Sequence, residues 1–127
     1  MWVNYNPNPA RTRVGDCAIR AVARATEQDW QSAYSALAVK GYEMSDLPSA
    51  NNVWGAYLRE KGFRREIVPN TCPDCYTVRD FCADHPRGVF VLALDGHVVT
   101  VVDGDHFDTW DSGGETVLYY WYKERKS

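Results

Sequence analysis

Three separated segments of the chain hold the parts of a nucleophilic site. Gly15-Asp16-Cys17-Ala18 supplies a thiol, Gly96-His97-Val98 an imidazole, and Trp110-Asp111-Ser112 a carboxylate, in the order Cys, His, Asp. In such a set the thiolate attacks a carbonyl carbon, the imidazole moves the proton, and the carboxylate fixes the ring in one tautomer. Only three histidines are present, His85, His97 and His106, so the choice of base is narrow. Cys17 falls in the first turn of an expected helix. Unpaired N–H groups there favour thiolate over thiol, and the residue's own N–H points toward an incoming carbonyl. Taken alone, a Cys on an Ala-rich helix face is more often core filling. His97 shifts that balance, because a His behind Gly96, at the mouth of Val98-Val99-Thr100-Val101-Val102, is a poor core residue. Two carboxylates compete to orient it. A turn centred on Gly104 sets Asp111 level with His97, and Asp111 is the preferred partner. A turn one residue tighter or looser favours Asp108.

A second cluster reads Cys72-Pro73-Asp74-Cys75, then Cys82 and His85. Three thiols and an imidazole are tetrahedral zinc ligands by type, and a metal held by Cys72, Cys75, Cys82 and His85 would be structural. A redox dithiol is a second reading of the C-x-x-C pair. Plain packing is a third, with Cys82 beside Val78 and Phe81 and His85 capping a helix before Pro86.

The elements that must position these groups follow from periodicity and punctuation. Residues 1–13 read as an irregular lead-in broken by Pro7 and Pro9. A helix is expected over 16–26 with Asp16 as N-cap. A second is capped by Asp29 and ends near Gly41, and a third covers 51–61 before Gly62. Phe63–Val68 looks like a short strand stopped by Pro69, and Thr77-Val78-Arg79-Asp80 has the capping-box form that opens a fourth helix. Strands are expected over 89–93, 96–102, 106–110 and 116–122, with a hairpin at Asp103-Gly104-Asp105. Helices first and an antiparallel sheet after them make the class α+β. The run Leu118-Tyr119-Tyr120-Trp121-Tyr122 alternates its burial, with Tyr119 and Trp121 on one face and Tyr120 and Tyr122 on the other. The stretch Lys123-Glu124-Arg125-Lys126 reads as a solvated end.

At 127 residues, 45% of them hydrophobic, the chain is expected to fold as one domain spanning 1–127. A net charge of −3 disfavours nucleic acid. No signal peptide or membrane span is evident, so a cytoplasmic protein is expected, with thiols that are reactive or metal-bound.

The motif set Asp16-Cys17-x-x-x-Ala21, Gly96-His97-Val98-Val99 and Asp111-Ser112-Gly113 resembles the papain-like cysteine peptidases. The likeness is to the compact bacterial and phage forms related to bacteriocin-processing peptidases, and it spans residues 14 to 122. The resemblance implies a helical part packed on a C-terminal antiparallel sheet. It implies a peptide or isopeptide substrate cleaved through a thioester, with Cys17 as nucleophile, His97 as base, Asp111 orienting it, and no cofactor needed for catalysis. Where that family carries a Gln for the oxyanion hole, this chain has Arg11. Arg11, Asn4, Asn6 or Asn8 are the candidate replacements, while Arg11, Arg13 and Arg20 either favour an acidic substrate or solvate the surface. Two other readings keep the same residues: a zinc-stabilised binding module with an inert Cys17, and a catalytically inactive papain-like adaptor.

Overall fold

In the computed structural model, which describes residues 1–123, six strands form one mixed sheet with helices on both faces. In chain order the elements are β1 (Trp2–Asn4), α1 (Cys17–Ala25), α2 (Trp30–Met44), α3 (Asn51–Glu60), β2 (Phe63–Ile67), α4 (Val78–Asp84), β3 (Val89–Leu94), β4 (His97–Val102), β5 (Asp105–Asp108) and β6 (Tyr119–Lys123). The strand order is β1-β5-β4-β3-β6-β2. All neighbours are antiparallel except β1 and β5. The α+β class thus stands, with a mixed sheet in place of a purely antiparallel one. Residues 124–126 of the expected solvated end lie outside the described residues.

The period-2 pattern of the central strands sorts two cores onto the two faces of the sheet. Val91, Ala93, Val98 and Trp121 pack with α1, α2 and α3 around Trp54, Leu37 and Leu58. Leu92, Leu94, Val99 and Val101 pack with Val78, Phe81 and Cys82 of α4. Tyr119 joins the first core and Tyr120 the second. Burying side chains of the size of Trp54 and Leu58 contributes roughly 1.5–3 kcal/mol each.

Helix α1 is buried almost all round, at Ala18, Ile19, Arg20, Ala21, Val22, Ala23 and Ala25. Its alanines permit close approach to the sheet, and the Thr100 hydroxyl donates to the Ala21 carbonyl at 2.6 Å. This contact fixes the height of α1 against β4, and with it the position of Cys17 relative to His97.

Two expectations about the chain give way. The lead-in is not wholly irregular: Trp2–Asn4 adds a parallel edge strand to β5, and the Tyr5 N–H donates to the Asp108 carbonyl at 2.8 Å. Local patterns are blind to a pairing that joins residues about a hundred positions apart. Helix α2 runs past Gly41 to Met44 and ends at Ser45 in the left-handed region. Gly41 is instead a packing site, since a Cβ there would stand 2.7 Å from the Asp46 carbonyl oxygen.

Candidate active site

The β4–β5 connection decides which carboxylate meets His97. Asp103 (φ 50°) and Gly104 (φ 82°) form a two-residue turn that pairs Val102 with Asp105. Two successive left-handed residues are the requirement of the tight hairpin turn, and Asp-Gly meets it. The register is Thr100↔Phe107 and Val101↔His106, so continuing it sets Asp108 opposite Val99. His97 and Asp108 are then diagonal neighbours across two strands, within reach of their long side chains. This is the tighter turn, and the partner it brings to His97 is Asp108 rather than Asp111.

His97 Nε2 donates to Asp108 Oδ2 at 2.6 Å, and Cys17 and His97 interact closely enough that each shifts the other's titration. The Asp108 side chain is 1% exposed. It also accepts from the Ser112 hydroxyl at 2.7 Å and from the Thr109 N–H at 2.8 Å. Trp110 lies against the His97 ring, centroids 5.1 Å apart. Its side chain therefore flanks the imidazole, in a short segment that also returns Ser112 to Asp108.

Cys17 is the first residue of α1. Asp16 occupies the N-cap position, yet its side chain makes no cap hydrogen bond. Its carboxylate instead pairs with Arg20 through Oδ1 and accepts from Trp30 Nε1 through Oδ2 at 2.9 Å. Arg20 is buried and also donates to Asp108 Oδ1 at 3.2 Å. One guanidinium thus joins the carboxylate beside Cys17 to the carboxylate behind His97. Arg20 is therefore neither surface-solvating nor free for an acidic substrate, whereas Arg11 and Arg13 are exposed. The Asp16-x-x-x-Arg20 spacing, an i,i+4 pair, was the available signal. Ser112 and Trp30 had none.

These contacts set the charges. Burial pushes the Cys17 thiol up, but the hydrogen bond and charge of His97, the Val98 N–H and the charge of Arg20 outweigh it, so the thiol titrates below its ordinary value. Burial pushes His97 down; its hydrogen bonds and charge interactions with Asp108 and Cys17 outweigh that and push it up to about 9. Asp108 is held below its ordinary value despite burial, by His97 and Ser112 first. Both directions favour the thiolate–imidazolium pair over the neutral pair.

The lead-in strand closes the back of Asp108, with Trp2 Nε1 donating to its carbonyl at 3.0 Å. Of the candidate oxyanion donors, Asn8 is buried in its own turn, its Oδ1 accepting from the Ala10 N–H at 2.9 Å. Asn6 Oδ1 accepts from the Asn8 N–H at 3.2 Å. The Asn4 and Arg11 side chains are exposed.

The expected zinc set does not assemble. Cys72 and Cys75 are joined to each other as a disulfide. His85 Nδ1 donates to the Phe81 carbonyl at 2.9 Å and its ring stacks on Phe81. Cys82 faces His106 Nδ1 at 4.0 Å. Among the described residues no group of three or more His, Cys, Asp or Glu side chains is gathered to hold a metal. The intervening six residues form a loop and a capping box that direct the disulfide and the α4 side chains to different places. The disulfide also departs from the expectation of reactive or metal-bound thiols at these positions.

Asp111, displaced from His97, accepts from His106 Nε2 at 3.0 Å and from the Gly113 N–H at 3.0 Å. Cys82, His106 and Asp111 therefore make a second array of the same three residue types, beside a hollow of about 320 Å³ also lined by Arg79. Burial pushes the Cys82 thiol up.

Compared with protein-family models, curated proteins and solved structures, the chain matches none. No described helix is long and apolar enough to cross a membrane.

Proposed function

We propose that this chain is a papain-like cysteine hydrolase that cleaves peptide or isopeptide amides through a thioester, with Cys17 as nucleophile, His97 as general acid and base, and Asp108 orienting His97. The observation that carries the reading is the His97 ring, bonded through Nε2 to a buried carboxylate at 2.6 Å and coupled electrostatically to the thiol that starts α1.

In the proposed reaction the Cys17 sulfur bonds to the substrate carbonyl carbon, and the negative charge moves to the carbonyl oxygen. The N–H of Cys17 and the positive end of α1 favour that charge, since no side chain caps the helix there. The C–N bond then breaks, and the leaving amine takes the proton held on His97. Water attacks the thioester, giving one proton back to His97, and releases the acid and the free thiolate. Asp108 stays ionised throughout and holds the imidazolium in place. The buried Asp16–Arg20–Asp108 chain keeps helix and hairpin in register during these steps.

The test uses p-nitrophenyl acetate and iodoacetamide on the full chain. Wild type gives a burst of p-nitrophenolate with acetyl mass on Cys17, and a single fast alkylation at the same residue. Cys17→Ala loses both while its circular dichroism is unchanged, and Cys82→Ala keeps both. Equal acetylation of the Cys17→Ala protein would falsify the assignment.

A further inference from the structure

We propose that the margin formed by α3, β2 and β6 is a binding groove for an acidic peptide segment, taken up in extended form along the outer edge of β2. Strand β2 ends the sheet, and among the described residues its outer edge pairs with nothing. Four of its five residues are exposed, and Ile67 is 66% exposed. Such an edge offers a row of N–H and C=O groups to an incoming chain, and strand addition is the way peptides use it.

The charge beside this edge selects the partner. Two hollows of about 500 and 440 Å³ adjoin there and share Arg59 and Arg65. Arg59 lies over the Trp121 ring at 5.4 Å, and Arg65 over the Tyr119 ring at 4.4 Å. Stacking of this kind holds the stems in place and leaves the guanidinium edges free to donate. Among the described residues neither arginine makes an ion pair. The protein as a whole carries −3, so a basic margin is a local arrangement and not a property of the surface at large.

Trp121 lines the 440 Å³ hollow and is 4% exposed, and its indole Nε1–H is buried without a hydrogen-bond partner among the described residues. Buried donors are normally satisfied, so this one marks a local shortfall beside the hollow. Asn51 and Asn52 also line this hollow; the Asn51 Oδ1 accepts from Trp54 Nε1, which leaves its amide N–H groups and the Asn52 amide to suit a peptide backbone. Two hollows in succession beside a strand edge fit an extended chain carrying several carboxylates better than a single compact anion. The site lies at the far end of the sheet from β5, so it acts by binding and leaves the thiol chemistry untouched.

The experiment titrates the full chain into a fluorescein-labelled, end-capped peptide of alternating Glu and Thr. Saturable binding that weakens with added salt is expected. Arg59→Ala with Arg65→Ala should weaken it by about tenfold or more, the loss of two charge-assisted contacts, and Arg59→Lys with Arg65→Lys should keep most of it. Hydrogen exchange should slow at the β2 amides when the peptide is bound. Alkylation of Cys17 stays at its wild-type rate in both double variants, which separates this site from the proposed hydrolase. Equal binding of the Lys–Thr counterpart, displacement by equimolar inorganic phosphate, or unchanged exchange at β2 would each overturn the proposal.

Discussion

Cys17–His97–Asp108 and Cys82–His106–Asp111 use the same three side-chain types, and in each the histidine Nε2 faces the carboxylate. Their surroundings differ in three ways. Cys17 begins a helix whose N–H groups have no side-chain cap, whereas Cys82 sits inside α4, whose N-terminus is closed by a Thr77–Asp80 capping box. Asp108 is 1% exposed and shares a buried guanidinium, whereas the Asp111 side chain is 50% exposed. The Cys17 thiol is lowered, the influence of His97, the Val98 N–H and Arg20 outweighing burial, whereas burial raises Cys82, which stands 4.0 Å from His106. The difference teaches that a thiol, an imidazole and a carboxylate in contact do not by themselves make a nucleophile. The helix end and the buried countercharge accompany a lowered thiol in the first set, and neither is present beside the raised thiol of the second.

The comparison breaks most visibly at Arg20. Arg20→Met leaves Asp16 and Asp108 buried without their cation, and should cost about 3–5 kcal/mol in urea unfolding. A loss under 1 kcal/mol would mean that the carboxylates do not depend on it. Next, Asp108→Asn should slow Cys17 alkylation at pH 7 by about 10- to 100-fold, the size of a one- to two-unit rise in thiol pKa. Asp111→Asn should leave the rate within about twofold, because its carboxylate serves the other histidine. Reversed results would exchange the roles of the two carboxylates.

The pH profile sharpens the same contrast. Acyl transfer should rise as Cys17 ionises below its ordinary value, and fall above about pH 9 as His97 loses the proton the leaving group needs. In Asp108→Asn the alkaline limb should move to lower pH. Because His97 binds its proton more tightly when folded, its contribution to stability is complete below the ordinary value of 6.5 and is lost as pH climbs through about 9. The melting temperature of wild type over His97→Gln should therefore narrow across that window. The smallest effect belongs to the closed helix: Thr77→Ala should cost about 1 kcal/mol in unfolding and leave Cys17 reactivity unchanged.

The placement of Cys17 at a helix start and of His97 at a strand start was legible from local chemistry, because composition marks each boundary: an Asp before an Ala-rich helix, a Gly before a Val-rich strand. The carboxylate that meets His97 was not. Asp108 and Asp111 differ only through the length of one turn, and Asp103-Gly104-Asp105 offers both a two-residue and a three-residue reading. A single step of register moves every side chain of β5 to the other face. The capping box at Thr77 and the alternation of Tyr119 to Tyr122 were readable for the reason Cys17 was, since neighbours in sequence decide them. The β1–β5 pairing and the Trp30–Asp16 contact depend on distant segments, and no local pattern carries them. The C-x-x-C pair suggested a metal because ligand type is visible in sequence, while the direction each sulfur takes is not.

The sideways turn of the Asp16 carboxylate has an evolutionary consequence. A Ser or Thr at that position, returning its hydroxyl to the helix, would gain the ordinary strength of a closed terminus and occupy the donors that the oxyanion of the proposed reaction needs. Under that proposal, selection for robustness and selection for turnover pull opposite ways on one residue, and a thermally hardened descendant of this chain would be expected to emerge slow.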